Sequence, residues 1–238
     1  MDLKDTKLVI FDMDGLLLDT ERLIVDAWDA LAQQKGLDRG KIRDACMASI
    51  GINIQAVYKV VNEKLGPEFP YREYRTEMER LVAEKLHGGP MPVKTGAFEL
   101  LEHLKRTGMP AVVASSSPKA VVTAELRDTG LLPYFAHVSG GEDAARSKPA
   151  PDLFLKAAAS MDVPPENCLV LEDSYNGIRA AAAAGMMSVM VPDLLPPTEE
   201  MRALYTALVP DLGAVAELLR QAFSSKACAR LAQQNSNQ

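Results

Sequence analysis

The chain has 238 residues, 47% hydrophobic and 24% charged, with a net charge of −6. That is enough for a real core in one large domain or two unequal ones, and the acidic balance argues against nucleic acid or an anionic membrane as partner. Three dispersed cysteines and three dispersed histidines exclude a disulfide framework and a zinc site and fit a reducing cytoplasm. No N-terminal apolar h-region and no apolar run of roughly 18 residues marks a signal peptide or a membrane span.

In chain order, Leu8-Val9-Ile10-Phe11 reads as a fully buried strand. It runs straight into Asp12, Met13, Asp14 and Gly15. Ionised aspartates are rarely placed at the end of a buried strand unless something pairs with them. In open α/β sheets the ligand sits just beyond the carboxyl ends of the strands. Asp12 and Asp14 are therefore candidate site residues. Asp19 or Thr20 is a plausible N-cap for the following helix, in which Ile24, Trp28 and Leu31 share a face. Gly36 closes it. Helical patterns follow over residues 41–50, 54–65 and 71–86, and His87-Gly88-Gly89-Pro90 makes a hinge-like connection.

From residue 98 the rhythm changes. Helices are predicted at 98–106, 119–128, 151–161 and 178–184, with strands at 111–114, 136–139, 168–171 and 188–191. Alternating strand and helix with short crossovers predicts a parallel, doubly wound sheet. The helical block does not fit that rhythm and reads as an insertion after the first strand. The expected division is residues 1–17 core, 18–88 helical cap, 89–223 core, and 224–238 a polar, mobile tail.

Four strand ends carry related chemistry: Asp12 and Asp14; Ser115 and Ser116; Lys148, before Pro149; and Glu172 with Asp173. A parallel sheet gathers them in one crevice. Two unit charges about 4 Å apart at an effective dielectric near 20 repel by ~4 kcal/mol. A hard divalent cation removes that penalty, and an all-oxygen set favours Mg²⁺ over zinc. Hydroxyls, a lysine and free backbone N–H groups are suited to phosphoryl oxygens. The set reads as a phosphoryl-transfer site.

The stretch Phe11-Asp12-Met13-Asp14-Gly15-Leu16-Leu17-Leu18-Asp19-Thr20-Glu21 resembles the first motif of the haloacid dehalogenase superfamily, and more narrowly of the β-phosphoglucomutase-like phosphatases with a helical cap. Ala114-Ser115-Ser116-Ser117, Lys148-Pro149-Ala150-Pro151-Asp152 and Leu171-Glu172-Asp173-Ser174 resemble the second, third and fourth motifs, in the family's order. The resemblance implies a HAD-like, Rossmannoid core with an inserted all-helical cap. It implies Asp12 as a nucleophile that becomes an aspartyl phosphate and Asp14 as general acid and base. It further implies Mg²⁺ held by Asp12, the Asp14 carbonyl and Asp173 with help from Glu172. Ser115, Ser116 and Lys148 would bind the phosphoryl group, with Glu21 near the substrate. The expected activity is hydrolysis of small phosphorylated metabolites, sugar phosphates and their like, so a small-molecule phosphate ester is the expected partner. The alternative is a sugar phosphomutase; however, Ala48-Ser49-Ile50-Gly51-Ile52-Asn53 carries no lysine or arginine for a second phosphate. A nucleotide-sugar glycosyltransferase leaves the third and fourth motifs unexplained, and a phospho-receiver module needs no inserted cap. A monomer is compatible with the sequence, which does not otherwise address oligomeric state.

Overall fold

The computed structural model describes residues 2–235, with side-chain surroundings through residue 224. Six parallel strands, β1 (Leu8–Phe11), β2 (Ala111–Ala114), β3 (His137–Ser139), β4 (Cys168–Glu172), β5 (Met187–Met190) and β6 (Ala207–Leu208), form one sheet. Their order is β3-β2-β1-β4-β5-β6, which places β1 at the centre. Val9 pairs with Ala111 on one side, and Phe11 with Leu171 on the other.

Side chains alternate across a strand, and the alternation sorts the core into two layers. Val9, Phe11, Val113, Leu169 and Leu171 pack under α5 (Ala97–Thr107) and α10 (Leu212–Asn235). Leu8, Ile10, Val112 and Val170 pack against Phe154 and Ala157 of α7 (Asp152–Ser160) and Ala180 and Ala181 of α8 (Tyr175–Ala183). Both faces of the central strands are covered, which is why they read as unbroken apolar runs rather than alternating ones.

Between β1 and β2 stand α1 (Thr20–Lys35), α2 (Arg39–Ala48), α3 (Ile54–Leu65) and α4 (Tyr71–Lys85). These helices bury a cluster of their own, with Leu23, Trp28, Leu31, Ile42, Met78 and Val82 at its centre. Gly36 ends α1 in a left-handed conformation, φ 65°, with its N–H returned to Ala32 and Gln33. The chain enters and leaves the four-helix segment along paired backbone. Asp19 N–H donates to Pro92 O at 2.9 Å, and Lys94 N–H to Leu17 O at 2.9 Å. That double connection roots the helices beside the head of β1.

Several boundaries differ from the sequence-based expectation. The helix expected at 178–184 begins a turn earlier, at Tyr175, because the Ser174 hydroxyl accepts the Gly177 N–H at 3.0 Å and caps it. The strand expected at 188–191 is β5, one residue earlier. Sequence patterning missed β6, whose two residues at the sheet edge are too few to show a period, as well as α9 (Glu199–Arg202) and α10. Apart from Ser224, the tail expected over 224–238 falls on residues whose side chains lie outside the described set, and residues 236–238 lie outside it altogether; α10 itself extends to Asn235. Among the described residues, no helix is long and apolar enough to cross a membrane.

Candidate active site

The sheet brings the strand-end residues together. Asp12 continues the ladder from β1, its N–H donating to Leu171 O at 3.1 Å. Its carboxylate meets the ammonium of Lys148, which lies 2.6 Å from Asp12 Oδ1 and 2.7 Å from Glu172 Oε1. Lys148 is fully buried, its Nζ 4.6 Å from the centre of the Phe154 ring. The second oxygen of Glu172 accepts the Ser174 N–H at 2.8 Å and the Ser174 hydroxyl at 2.9 Å. Gly177 makes room for this carboxylate: a Cβ there would fall 1.7 Å from Glu172 Oε1.

Asp12, Glu172 and Asp173 each offer an oxygen within 4.8 Å of the others, and all three are buried. A buried, all-carboxylate donor set with one lysine for three negative charges fits a hard divalent cation. The close approach of Gly15 agrees with this. Its φ is +78°, and a Cβ would stand 2.4 Å from Asp173 Oδ2, so the loop after β1 passes tight against the cluster.

Asp14 points elsewhere. Its Oδ2 accepts the hydroxyls of Ser115 at 3.0 Å and Ser117 at 2.9 Å, and its Oδ1 accepts that of Thr20 at 2.9 Å. The expectation that Asp19 or Thr20 caps α1 is met only by position. Asp19 is the N-cap residue but makes no side-chain cap bond. It faces Arg22 at 3.6 Å and Lys94 at 3.5 Å, while Thr20 is committed to Asp14.

Ser116 is turned away from the acidic cluster; its hydroxyl donates to Gly51 O at 3.1 Å, in the loop between α2 and α3. The same loop is held at two more points. Asn53 N–H donates to the Ser147 hydroxyl at 2.9 Å, and Asn176 Nδ2 to Ile50 O at 3.2 Å. Gly51, with φ +78°, allows the approach, since a Cβ would lie 2.3 Å from Ser174 Oγ. Ser116, Ser147 and Ser174 are each the chain neighbour of a candidate site residue, namely Ser115, Lys148 and Asp173. The four-helix segment thus rests on the chain neighbours of the acidic cluster and its lysine.

Burial dominates the electrostatics. Desolvation, with Glu172 and Asp14 nearby, pushes the Asp12 carboxyl up to about 8 despite Lys148. Asp173 is likewise raised well above the ordinary carboxylate range, by burial first and then by Glu172 and Asp12. Burial alone would lower the Lys148 ammonium, but Asp12 and Glu172 together reverse this and hold it charged. Glu21, half-buried in the first turn of α1, is pushed up to about 8 by desolvation and then by Asp14 and Asp12. Its carboxyl makes no hydrogen bond or ion pair among the described residues.

Sequence reasoning missed Ser117 and Thr20 as holders of Asp14, and it missed Asp193. The last stands two residues beyond the expected end of a strand, where the strand-end rule could have found it. Its Oδ1 accepts Arg22 at 2.7 Å and Lys94 at 2.8 Å, joining both connections of the four-helix segment to the loop after β5.

Beyond Asp12 and Asp14 a cavity of about 180 Å³ opens towards the four helices. A family model described as haloacid dehalogenase-like hydrolase matches residues 6–185, which span every site residue named in this subsection except Asp193. The chain belongs to this family. It is similar to a probable pseudouridine-5'-phosphatase of Drosophila melanogaster, 38% identical over 77% of this chain and 80% of the relative. It is also similar to the fructose-1-phosphate phosphatase of Escherichia coli (strain K12), 33% identical over 77% of this chain and 95% of the relative. Among solved structures it resembles a putative β-phosphoglucomutase from Thermotoga maritima, with TM-score 0.71 and 25% identity over 91% of this chain and 99% of that one.

Proposed function

We propose that this haloacid dehalogenase-like hydrolase is a phosphomonoesterase acting on small phosphorylated metabolites, sugar or nucleoside phosphates among them, in the cytoplasm. The observation that carries the reading is Lys148 bridging Asp12 and Glu172 at 2.6 and 2.7 Å, at the head of the central strands. The phosphatases among its relatives support it.

In this reading an oxygen of Asp12 attacks phosphorus, the Asp12–phosphorus bond forms and the ester P–O bond breaks. Asp14 gives its proton to the departing alkoxide. It then takes one from the water that attacks the aspartyl phosphate, returning Asp12 and releasing inorganic phosphate. Lys148 keeps the nucleophile's neighbourhood from accumulating charge, and Ser115 and Ser117, which donate to Asp14 at 3.0 and 2.9 Å, would turn their hydroxyls to phosphoryl oxygens. An arriving phosphoryl group competes with Asp14 for those hydroxyls, so substrate entry itself frees Asp14 for proton transfer. Asp12, Asp173 and the Asp14 carbonyl, with Glu172 in support, would hold Mg²⁺, which when bound would supply the positive charge that lets an anionic ester approach these carboxylates. The four-helix segment acts as a cap that excludes water. Hydrolysis is preferred to phosphoryl transfer between sugars because residues 48–53, the loop docked over the site, bring no lysine or arginine.

The test is phosphate release across a panel of phosphorylated metabolites. Turnover that disappears with EDTA and returns with Mg²⁺ is the expected result. No release from any ester, or full activity after exhaustive chelation, would sink the reading.

A further inference from the structure

The wall that α1–α4 turn towards Asp12 and Asp14 is made of hydrocarbon and aromatic surface, with Ile24, Trp28, Ile42, Val57, Tyr71 and Met78 prominent in it. Its polar groups are few: Glu21, Cys46, Ser49, Tyr71 and Arg75. Ser49 donates its hydroxyl to Ala45 O at 2.8 Å, and Arg75 is engaged by Glu79 at 2.8 Å. Burial pushes the Cys46 thiol and the Tyr71 hydroxyl each up to about 12, so both stay neutral. Glu21 is the carboxyl on this wall, with no hydrogen bond or ion pair among the described residues.

A polyhydroxylated leaving group would be badly served in such a space. Each hydroxyl that enters without a hydrogen-bond partner loses its hydration without replacement, which is unfavourable. A ring, by contrast, loses only unfavourable hydration, so its burial against this wall is favourable. Size permits it, since a dry apolar cavity of about 150 Å³ accommodates benzene, and this one measures about 180 Å³.

We infer that the site selects phosphate esters of ring-bearing alcohols with few free hydroxyls, the ring lying against Ile24, Trp28, Val57 and Met78. One hydroxyl or ring N–H of the leaving group faces Glu21. The inference rests on the phosphomonoesterase reading and narrows it, away from open-chain polyol phosphates.

Two unactivated esters of primary alcohols test it, because their intrinsic reactivities are alike and only the body of the leaving group differs. With Mg²⁺ present, kcat/KM for 2-phenylethyl phosphate should exceed that for a hexitol 6-phosphate by roughly tenfold or more. In Val57→Asn, kcat/KM for 2-phenylethyl phosphate relative to methyl phosphate should fall about tenfold. Because this is a ratio, general loss of folded protein cancels from it. A hexitol ester turned over as well as or better than the phenylethyl ester would overturn the inference while leaving the phosphomonoesterase intact. So would an unchanged ratio in Val57→Asn. Failure to release phosphate from any ester, methyl phosphate included, would overturn the activity itself and the inference with it.

Discussion

On the sheet side of the cavity, Lys148 lies within 2.7 Å of two carboxylates and Asp14 accepts from three hydroxyls within 3.0 Å. On the helical side, Glu21 and Arg75 are the wall's charged groups among the described residues, and most of the remainder is apolar. The sheet side is held by contacts between residues as much as 136 positions apart, so one substitution unbalances several partners. The helical wall is held by packing within its own cluster and tolerates change more gradually. The difference teaches that the two sides are held by different means, directed polar contacts on one and packed surfaces on the other.

The comparison breaks most decisively at Asp12. Asp12→Asn should cost on the order of 10⁴–10⁶ in phosphate release, as expected for removal of a nucleophile, while near-ultraviolet circular dichroism stays native. Next is Lys148→Met, which leaves Asp12 and Glu172 buried without their cation. Breaking a buried pair costs about 3–5 kcal/mol, so the thermal midpoint should drop by roughly 10 °C. Added Mg²⁺ should recover part of the drop, as calorimetry would show.

Glu21 sharpens the comparison through pH. Its carboxyl is held at about 8 in the folded chain against an ordinary value of 4.5. The folded state therefore loses stability relative to the unfolded chain as pH rises from about 4.5 to about 8. Glu21→Gln should remove that loss. In EDTA it should melt several degrees above the wild type at pH 8 and alongside it at pH 4.5. The smallest effect is expected at Asp193. Asp193→Ala releases Arg22 and Lys94 but leaves Lys94 beside Asp19 at 3.5 Å, so stability should fall by only ~1 kcal/mol in a denaturant melt. KM should rise before kcat falls, as steady-state kinetics would separate.

The sheet side was legible in the sequence because its signals are local and unusual. A carboxylate or hydroxyl that ends an apolar run stands out at Phe11-Asp12, Ala114-Ser115 and Leu171-Glu172, and strand order brings these ends together. Thr20 was harder to assign: its position beside a helix start reads as a cap, and only the folded loop reveals Asp14 as its acceptor. The docking of residues 50–53 was not legible at all. Each of its three hydrogen bonds uses a backbone N–H or carbonyl of that loop, so no side-chain signature marks it. β6 was missed because two residues at a sheet edge carry no period. The apolar character of the helical wall was hidden for another reason: Trp28 and Met78 belong both to the helices' own core and to the cavity, and the pattern shows only the first.

The division of labour between the first two aspartates is tested most directly by rapid mixing with p-nitrophenyl phosphate. Nitrophenolate leaves without a proton, so Asp14→Asn should still phosphorylate Asp12 while the return step slows by about 10²–10⁴-fold. The account predicts a burst of nitrophenol close to one per enzyme and a phosphate label recovered on Asp12 from Asp14→Asn. A burst from Asp12→Asn, or equal, burst-free loss in both variants, would contradict it.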